Sequence, residues 1–440
     1  MEDLLAARMQ MGISLAFHII FACVGIAMPF LMATAHALWL RTRNPVYFTL
    51  TKAWSKGVAI FFATGAVSGT ALSFELGLFW PKFMEHAGGI IGMPFSWEGA
   101  AFFLEAIALG IFLYGWNKIP DLMHWFSGLM VGITGVASAI FVVAANAWMN
   151  NPAGFDWVNG QAINIDPWAA MFNGSMLVMG IHMVIGAFQA TAFSVAGLHA
   201  LLLLRDRTHP VHQAAMKIAL VFGVIFSLIQ PLSGDFLAKN VARTQPIKLA
   251  AMEGLFQTEK GAPLLIGGLP NESKGVTEYA IHLPKMLSFL AFGDFDAEVQ
   301  GLSDFPRDEW PPVAVTHIAF QIMVGCGTVL MLVGFVYLFI LAFRREVLFG
   351  SCFLCTVGAC TPLGILAIWA GWTVTEVGRQ PWIIYKIMRT HEALTPMPGL
   401  VYPLILFMGV YALLIAAVAY LMWRQIRSLE EKKEWEESHG

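Results

Sequence analysis

Charged residues are scarce in this 440-residue chain, at 12% of the sequence against about 25% in soluble domains. Apolar residues make up 58% of it. This imbalance excludes an ordinary soluble enzyme and indicates a polytopic membrane protein. The net charge of −3 provides no basic surface, so nucleic-acid binding is not expected.

Cysteine is scarce too, with five in the chain. Cys352 and Cys355 form a C-x-x-C, but no second pair lies nearby, which disfavours a cysteine metal or redox site. The first residues, Glu2 and Asp3, are acidic, whereas a secretory signal peptide begins with basic residues. We therefore expect the first apolar helix to be retained.

Long apolar runs dominate what is present. A helix needs about 20 apolar residues to span a bilayer. Nine stretches qualify, at 12–38, 54–80, 97–116, 124–149, 174–204, 214–233, 314–343, 351–376 and 398–423. The predicted fold is all-α, with about nine transmembrane helices. The predicted regions are helices one to six (1–233), a long loop (234–313), helices seven to nine (314–424) and a tail (425–440).

Lysine and arginine predict the orientation, because loops on the cytoplasmic side are enriched in them. With the N-terminus outside and the C-terminus inside, fourteen of the 26 basic residues lie in inner segments and five in short outer segments. The long loop then lies outside. A loop of this length is more often functional than idle.

Glu376 closes the eighth apolar stretch, and no charge occurs between 354 and 372. An ionisable side chain at membrane depth costs about 2.5–3.5 kcal/mol and usually has a partner and a function. Arg379, three residues later, is the nearest cation. Glu98 and Glu105 are two helical turns apart on one face, which suggests a proton path; helix packing with neutralised carboxyl groups is the alternative.

His18, His182 and Met323 lie on three other predicted helices, towards the outer side. His18 and Met323 have ordinary structural explanations, an interface histidine and core packing. His182 has no polar partner close by in the sequence, which leaves a ligand role and a structural role equally open. Together with the carboxylates they make a poor zinc site, because hard and soft ligands are mixed. Histidine with methionine is a haem axial pair, and Arg379 could hold a haem propionate.

Several motifs resemble subunit I of the cytochrome bd quinol oxidases, in that family's order and over nearly the whole chain. The most specific is Glu376-Val377-Gly378-Arg379-Gln380-Pro381-Trp382, which is similar to the family's E-x-G-R-Q-P-W. The others are His18, Glu98–Glu105, Ala145–Met149, His182, Gln245–Glu253 and Met323–Gly325.

The resemblance implies three haems. A low-spin haem b takes the positions of His182 and Met323. A high-spin haem b and an oxygen-reducing haem, which is haem d or a further haem b, take His18 and Glu376, with Glu98 close by; the ligands are not assigned to individual high-spin haems. Arg379 and Trp382 belong to the same cofactor-binding set.

The resemblance also implies the reaction. Quinol is oxidised at the outer face near Lys248 and Glu253, and O2 is reduced to water with protons that Glu105 and Glu98 deliver from the cytoplasm. This builds a proton motive force without pumping. The implied partners are a second subunit, and optionally a small single-helix subunit, in the bacterial inner membrane.

Two features depart from the commonest pattern. Gln321 stands where many members have arginine, which bears on the low-spin haem. The loop is short, and the run Ser73–Pro81 looks like the cyanide-insensitive branch, some of which carries haem b in place of haem d.

Two other classes compete. A haem-free ion or proton transporter would use the buried Glu and His residues as relays, but the sequence has no inverted repeat and no paired broken helices. A cytochrome b-like electron carrier would need paired bis-histidine sites, and too few histidines lie at suitable depth.

Overall fold

The computed structural model describes residues 2–158 and 160–439, and side chains only as far as residue 430. The expected tail, 425–440, therefore lies partly outside the described residues. Thirteen α-helices occur in the described part of the chain: α1 Asp3–Thr42, α2 Pro45–Phe79, α3 Pro81–Tyr114, α4 Asp121–Asn150, α5 Pro167–Met171, α6 Met176–Leu203, α7 Pro210–Thr244, α8 Pro246–Glu253, α9 Met286–Phe292, α10 Val313–Phe343, α11 Ser351–Ala359, α12 Leu363–Val377 and α13 Val401–His439.

Nine candidate membrane spans are found among these residues, as predicted, with α11 and α12 together forming one of them. Most are longer than the apolar stretches. At 1.5 Å per residue the 40-residue α1 is about 60 Å long, twice the thickness of the hydrocarbon core. Hydropathy therefore marks where lipid surrounds a helix, and the helix itself continues beyond.

Proline sets several of these helix starts. Pro45, Pro81, Pro210 and Pro246 each occupy the first turn of a helix, where the missing N–H costs nothing. The third span accordingly begins at Pro81 instead of 97. The predicted stretch that begins at 97 would place Glu98 at the start of this helix, and this was wrong, because Glu98 lies in the middle of α3.

The eighth span is broken between α11 and α12. Pro362 cannot donate a backbone hydrogen bond, so the chain leaves the helix at Cys360–Pro362. Ser194 Oγ on α6 donates to the freed carbonyl oxygen of Thr361 at 2.9 Å. Gly197 allows this approach, since a Cβ there would lie 2.1 Å from Thr361 Oγ1.

The helices pack in two groups around α1 and α6, the two most buried spans. One group is α1 to α4, with α13 against α1 and α2. In the other, α6, α7, α10 and α12 form a closed ring, each in contact with the next. Contacts of α6 with α1 and α4 join the groups.

The long loop begins later than predicted, because α7 continues to Thr244 and α8 follows at once. The loop is folded as a ladder of three nested antiparallel strand pairs and the helix α9. The outer pair is β3 Glu259–Lys260 with β8 Glu298–Val299, the middle pair is β4 Leu264–Ile266 with β7 Ile281–Leu283, and the inner pair is β5 Leu269–Asn271 with β6 Val276–Glu278.

Two further strand pairs lie outside this loop: β1 Asp156–Val158 with β2 Gln161–Ile163, and β9 Trp382–Ile384 with β10 Met388–Arg389. Short 3-10 turns occur at Leu302–Asp304, Arg307–Glu309, Arg345–Val347 and Thr390–Ala393. The β9–β10 hairpin directly follows the segment that carries Glu376 and Arg379.

Candidate functional site

One side of α4 carries a row of small and amide residues that we call the α4 polar face: Gly135, Ser138, Asn146 and Asn150. Their spacing of three, eight and four residues keeps them on one side of a helix. Ionisable side chains from three other helices meet this face in order along it. Neutral residues on α4 thus bring together charges that are far apart in sequence.

Glu105 and Glu98 meet the α4 polar face at its start, and both come from α3. Ser138 Oγ donates to Glu98 Oε1 at 3.2 Å. At Gly135, a Cβ would lie 3.5 Å from Glu105 Oε1, so glycine leaves room for this carboxyl group. Glu105 is buried and Glu98 is half-buried. The two carboxyl groups share one side of α3, as their seven-residue spacing predicted.

Glu376 meets the α4 polar face further along, from the last turn of α12. Asn146 Nδ2 donates to Glu376 Oε1 at 2.6 Å, and Arg379 Nη2 donates to Glu376 Oε2 at 2.5 Å. The Arg379 side chain is 2% exposed. Its Nε and Nη1 have no hydrogen-bond partner among the described residues. Burial lowers the pKa of Arg379, and the Glu376 carboxylate opposes that shift.

Lys248 reaches the end of the same face from α8. Its Nζ donates to Asn150 Oδ1 at 2.5 Å and to the Thr375 carbonyl oxygen at 3.2 Å. Asn150 Nδ2 in turn donates to Asn146 Oδ1 at 3.1 Å. Four side chains, Lys248, Asn150, Asn146 and Glu376, therefore form one directed hydrogen-bond chain. Burial, helped by the Arg379 guanidinium, lowers the pKa of Lys248 to about 7.

Glu253, at the end of α8, does not join this chain. Its side chain is 4% exposed, and its Oε2 lacks a hydrogen-bond partner in the described part of the protein. Burial raises the pKa of this carboxyl group to about 8. Lys248 and Glu253 therefore face different surroundings, as their spacing of about 140° around a helix leads one to expect.

His317 and Gln321, one turn apart on α10, attach the long loop to the membrane helices. The His317 Nδ1 lies 2.8 Å from the Met252 carbonyl oxygen, and its Nε2 lies 3.0 Å from that of Gly267. Gln321 Oε1 accepts from the Gly267 N–H at 2.9 Å, and Gln321 Nε2 donates to the Leu265 carbonyl oxygen at 3.0 Å. Gln321 thus serves as a loop anchor in this chain.

An apolar groove of about 450 Å³ opens between α10 and α12, directly below that loop. Its lining consists of Ala314, Val315, Ile318, Ala319, Ile322, Leu366, Trp369, Ala370 and Thr373. Ala319 also packs against Met252, the neighbour of Glu253. One wall of the groove therefore lies close to the end of α8, where Glu253 is located.

His182 and Met323 lie on opposite members of the ring formed by α6, α7, α10 and α12. His182 Nδ1 is 3.0 Å from Ser233 Oγ on α7, and a Cβ at Gly234 would lie 3.5 Å from its ring. Met323 Sδ lies 3.0 Å from where a Cβ on Gly371 would be. Glycine thus faces each side chain from the neighbouring helix.

His18 projects from α1 towards α2. Its Nδ1 is 2.9 Å from Ser68 Oγ, and a Cβ on Gly69 would lie 3.0 Å from its ring. One nitrogen is thereby oriented by a hydroxyl group, the second-shell arrangement that directs the other nitrogen to a ligand. Trp382, by contrast, lies on the β9 strand with the Arg389 guanidinium 5.1 Å from its ring centre.

These side chains fit haem. Each histidine has its Nδ1 held by a serine hydroxyl, and the His182 ring also lies 3.3 Å from the amide nitrogen of Gln230. A thioether sulfur lies on the facing side of the helix ring, and a buried guanidinium keeps two nitrogens for an anion such as a propionate. No group of three His, Cys, Asp or Glu side chains suited to a metal ion occurs within residues 2–158 and 160–430. Single ligands from separate helices, flanked by glycine, suit a flat macrocycle better than a bare ion.

Sequence reasoning missed several members of this arrangement: Asn150, Ser68, Ser233, Gln230 and His317. Most are neutral, and a neutral amide or hydroxyl group in an apolar helix does not stand out in a hydropathy pattern as a charged side chain does. Asn146 appeared only within a motif. The polar side chains recurring at 138, 146 and 150 in an apolar helix were the available signal.

Comparison with known proteins gives a consistent picture. The family model described as cytochrome bd terminal oxidase subunit I matches residues 6–430. The chain is 37% identical over 431 residues to the putative cytochrome bd menaquinol oxidase subunit I of Bacillus subtilis (strain 168), covering 96% of each chain. It is 29% identical over 494 residues to the cytochrome bd-II ubiquinol oxidase subunit 1 of Escherichia coli (strain K12), again covering 96% of each.

A solved structure shares the whole fold. The bd oxidase from Geobacillus thermodenitrificans superposes with a TM-score of 0.92 at 38% sequence identity. The match covers 97% of this chain and 99% of that one. The membrane helices described above therefore have the same arrangement as those of the matched chain.

Proposed function

This chain belongs to the cytochrome bd terminal oxidase subunit I family, and from that membership we propose how its own side chains carry out the reaction. The protein is a haem-containing quinol oxidase subunit of respiratory electron transport, and it spans the bacterial inner membrane several times. Its substrates are quinol and O2, and it pairs with a second subunit. The predicted all-α fold with nine spans, the activity and the location are confirmed, while the orientation of the termini stays a prediction; the transporter and carrier alternatives are set aside.

For the cofactors, we propose that His182 and Met323 hold a low-spin haem b. His18, Glu376 and Glu98 serve a high-spin pair made of a haem b and either haem d or a further haem b. Bound haem would supply the one-electron carriers and the iron at which oxygen is reduced. The protein's part is to fix these ligands on rigid helices and to provide Arg379 for an anionic substituent.

The observation that carries this proposal is that Arg379 is buried and only partly hydrogen-bonded. A guanidinium that is 2% exposed and has two N–H-bearing nitrogens unpaired among the described residues is costly, unless an anion or polar group meets it. Glu376 satisfies only one of its nitrogens. A carboxylate-bearing ligand beside Glu376 would satisfy the others, which is what a haem with propionates provides.

Quinol oxidation is assigned to the surroundings of Glu253. Quinol releases two protons when it is oxidised. Glu253, with its pKa raised to about 8, can accept a proton near neutral pH. The groove between α10 and α12 would take the prenyl tail of the quinol, since its walls are almost entirely apolar. Relatives are named for both menaquinol and ubiquinol, so either head group is compatible.

Lys248 takes a different part in this proposal. Its ammonium group donates to Asn150 on the α4 polar face and to the Thr375 carbonyl oxygen, so it is directed towards the Glu376 site. It would act on the Glu376 site by polarising the Asn150 and Asn146 amides, because each donor in the chain strengthens the next. Lys248 is thus a positioning residue and Glu253 the residue that meets quinol.

Protons for water formation would pass Glu105 and then Glu98, which meet the α4 polar face on the way to Glu376. With the N-terminus outside, as the basic residues predict, these protons come from the cytoplasm and the quinol protons leave outside. Charge separation then follows without a pump. A small single-helix subunit remains part of the proposal on the family resemblance alone.

A reduced-minus-oxidised optical spectrum of the purified protein, with and without CO, tests this function. Low-spin bands together with high-spin bands that shift with CO are expected. Their absence would indicate a transporter, and low-spin bands alone would indicate an electron carrier. Either of these results would overturn the proposed haem sites.

A further inference from the structure

The interface between α1 and α2 carries a second polar row, of which the steps above use only His18 and Ser68. Gln10, Ser14 and His18 are spaced four residues apart and therefore lie on one side of α1. Facing them, α2 contributes Ser68, which contacts His18, and Glu75, seven residues further on. Polar groups within membrane helices are expensive, so a continuous row of them calls for a function.

Glu75 is the ionisable member of this row, and its side chain is enclosed. It is 1% exposed. Its Oε1 accepts from Ser14 Oγ at 2.7 Å and from Gln10 Nε2 at 3.1 Å. Ser14 Oγ accepts in turn from Tyr411 Oη of α13 at 2.8 Å. Three helices thus build a closed hydrogen-bond shell around one oxygen of a buried carboxyl group.

The other carboxyl oxygen is unsatisfied. Glu75 Oε2 has no hydrogen-bond partner in the parts of the chain that the structure describes, and neither has Gln10 Oε1 next to it. The ion pairs found among those residues do not include Glu75. The titratable group seen to face this carboxyl group is Tyr411. A carboxylate with a bare oxygen and no cation beside it is very unfavourable, so Glu75 ionises only when a positive charge lies nearby and otherwise carries a proton on Oε2.

The position of Glu75 relates it to His18 without direct contact. Ser14 is one turn from His18 along α1, and Ser68 is two turns from Glu75 along α2. Phe17 and Phe21 pack against Tyr411 and close the apolar surroundings. A charge placed at His18 would therefore act on the Glu75 carboxyl group through a poorly polarisable medium, where electrostatic effects are large.

We propose that Glu75 is a redox-linked proton-binding residue. It takes up one proton from water when an electron reaches the iron held by His18, and it releases that proton when the electron leaves. The proton adds to Oε2 of the carboxylate and no other bond changes, so the added negative charge is balanced by one positive charge. This inference rests on the proposed role of His18 as a haem ligand.

Redox-induced infrared difference spectra of the whole oxidase test it, because a protonated carboxyl group has a C=O stretching band that a carboxylate lacks. Wild type is expected to show a C=O band that appears on reduction. Glu75→Gln keeps an acceptor oxygen for Ser14 and Gln10 but cannot titrate, so the band is lost. Glu85→Gln is the matched control, since Glu85 is an exposed carboxylate on α3, and it should retain the band.

Two further measurements separate this role from a structural one. The midpoint potential of a high-spin haem should lose part of its pH dependence in Glu75→Gln. Ser14→Ala removes the 2.7 Å donor and should shift the band without abolishing it, which also keeps the test open if Glu75→Gln fails to assemble. An unchanged band and an unchanged pH dependence in Glu75→Gln with normal haem spectra would overturn this inference alone. Failure of the His18 assignment would appear separately, as unaltered high-spin haem in His18→Ala.

Discussion

The Nζ of Lys248 lies 2.5 Å from Oδ1 of Asn150, and this contact joins the extramembrane helix α8 to the membrane helix α4. Two further amide hydrogen bonds lead from Asn150 through Asn146 to Glu376. Every donor in this chain points the same way, from an ammonium group to a carboxylate. The surroundings of Glu376 therefore depend on a residue of the loop region.

Lys248→Met should alter the high-spin optical bands. Methionine preserves the volume of the side chain but removes the ammonium donor, so Asn150 Oδ1 keeps only the donor Gln245 Nε2 at 3.2 Å and the Asn150 and Asn146 amides are held less firmly. Removing one partner of a buried hydrogen bond costs about 1–3 kcal/mol. The spectrum of the reduced, purified variant is the measurement, with Lys260→Met, an exposed lysine of the same loop, as control. Normal high-spin bands with only a raised KM for quinol would show that Lys248 acts on quinol instead.

Glu253→Gln should slow quinol oxidation about 100-fold or more, since it removes the proton acceptor, while all haem bands stay in place. The wild-type pKa is raised to about 8, so the carboxyl group is mostly neutral at pH 7 and ionises as pH increases. Quinol oxidation in wild type should therefore accelerate as pH rises through about 8, and the variant should lack this rise. Steady-state turnover between pH 6 and 9 measures it. Glu259→Gln, an exposed neighbour, should behave as wild type, and an equal loss there would remove the assignment.

Ala314→Phe should obstruct the groove between α10 and α12. Displacing about two CH2 groups of a prenyl tail costs roughly 1.6 kcal/mol, which raises KM for a long-tailed quinol about tenfold. A tailless quinol analogue should keep its KM, because the head-group surroundings are untouched. Ala412→Phe places the same ring on an exposed part of α13 and serves as the control. Equal KM changes for both substrates would argue against a tail in this groove.

Gly371→Ala should disturb the low-spin haem. The added Cβ would lie 3.0 Å from Met323 Sδ, closer than ordinary packing allows, and overpacking of this kind costs about 1–3 kcal/mol. The sulfur has to move, so the low-spin band should shift or weaken. Gly110→Ala is a suitable control, because a Cβ there meets no atom within 4 Å. An unchanged low-spin spectrum would mean that Met323 is not a ligand in this position.

The membrane spans were predictable because side chains that face lipid have to be apolar, so each span is visible in the composition of the sequence. Helix ends were less so. α3 begins at Pro81 and α7 continues to Thr244 because helices extend past the hydrocarbon layer, where hydropathy no longer reports on them. The break at Pro362 was also missed, since the apolar composition runs through it without change.

Within the site, charged residues were predictable and their connections were not. Glu376 and Arg379 are conspicuous because a charge in an apolar helix is costly. Asn150 and Ser68 are neutral, and their importance depends on which helices pack together. Glu75 was read only as part of a motif, although it is the one acidic residue of α2 and its burial carries the same cost argument as that of Glu376.

The most direct test of the central claim is oxygen uptake by Glu376→Ala, measured together with the reduced-minus-oxidised and CO-difference spectra. Glu376→Gln, which keeps the Asn146 hydrogen bond, guards against simple misfolding. If the carboxylate serves a high-spin haem, Glu376→Ala loses or shifts high-spin bands and stops consuming O2, while the low-spin band of the His182 site persists. Normal oxygen uptake with unchanged spectra would contradict the account.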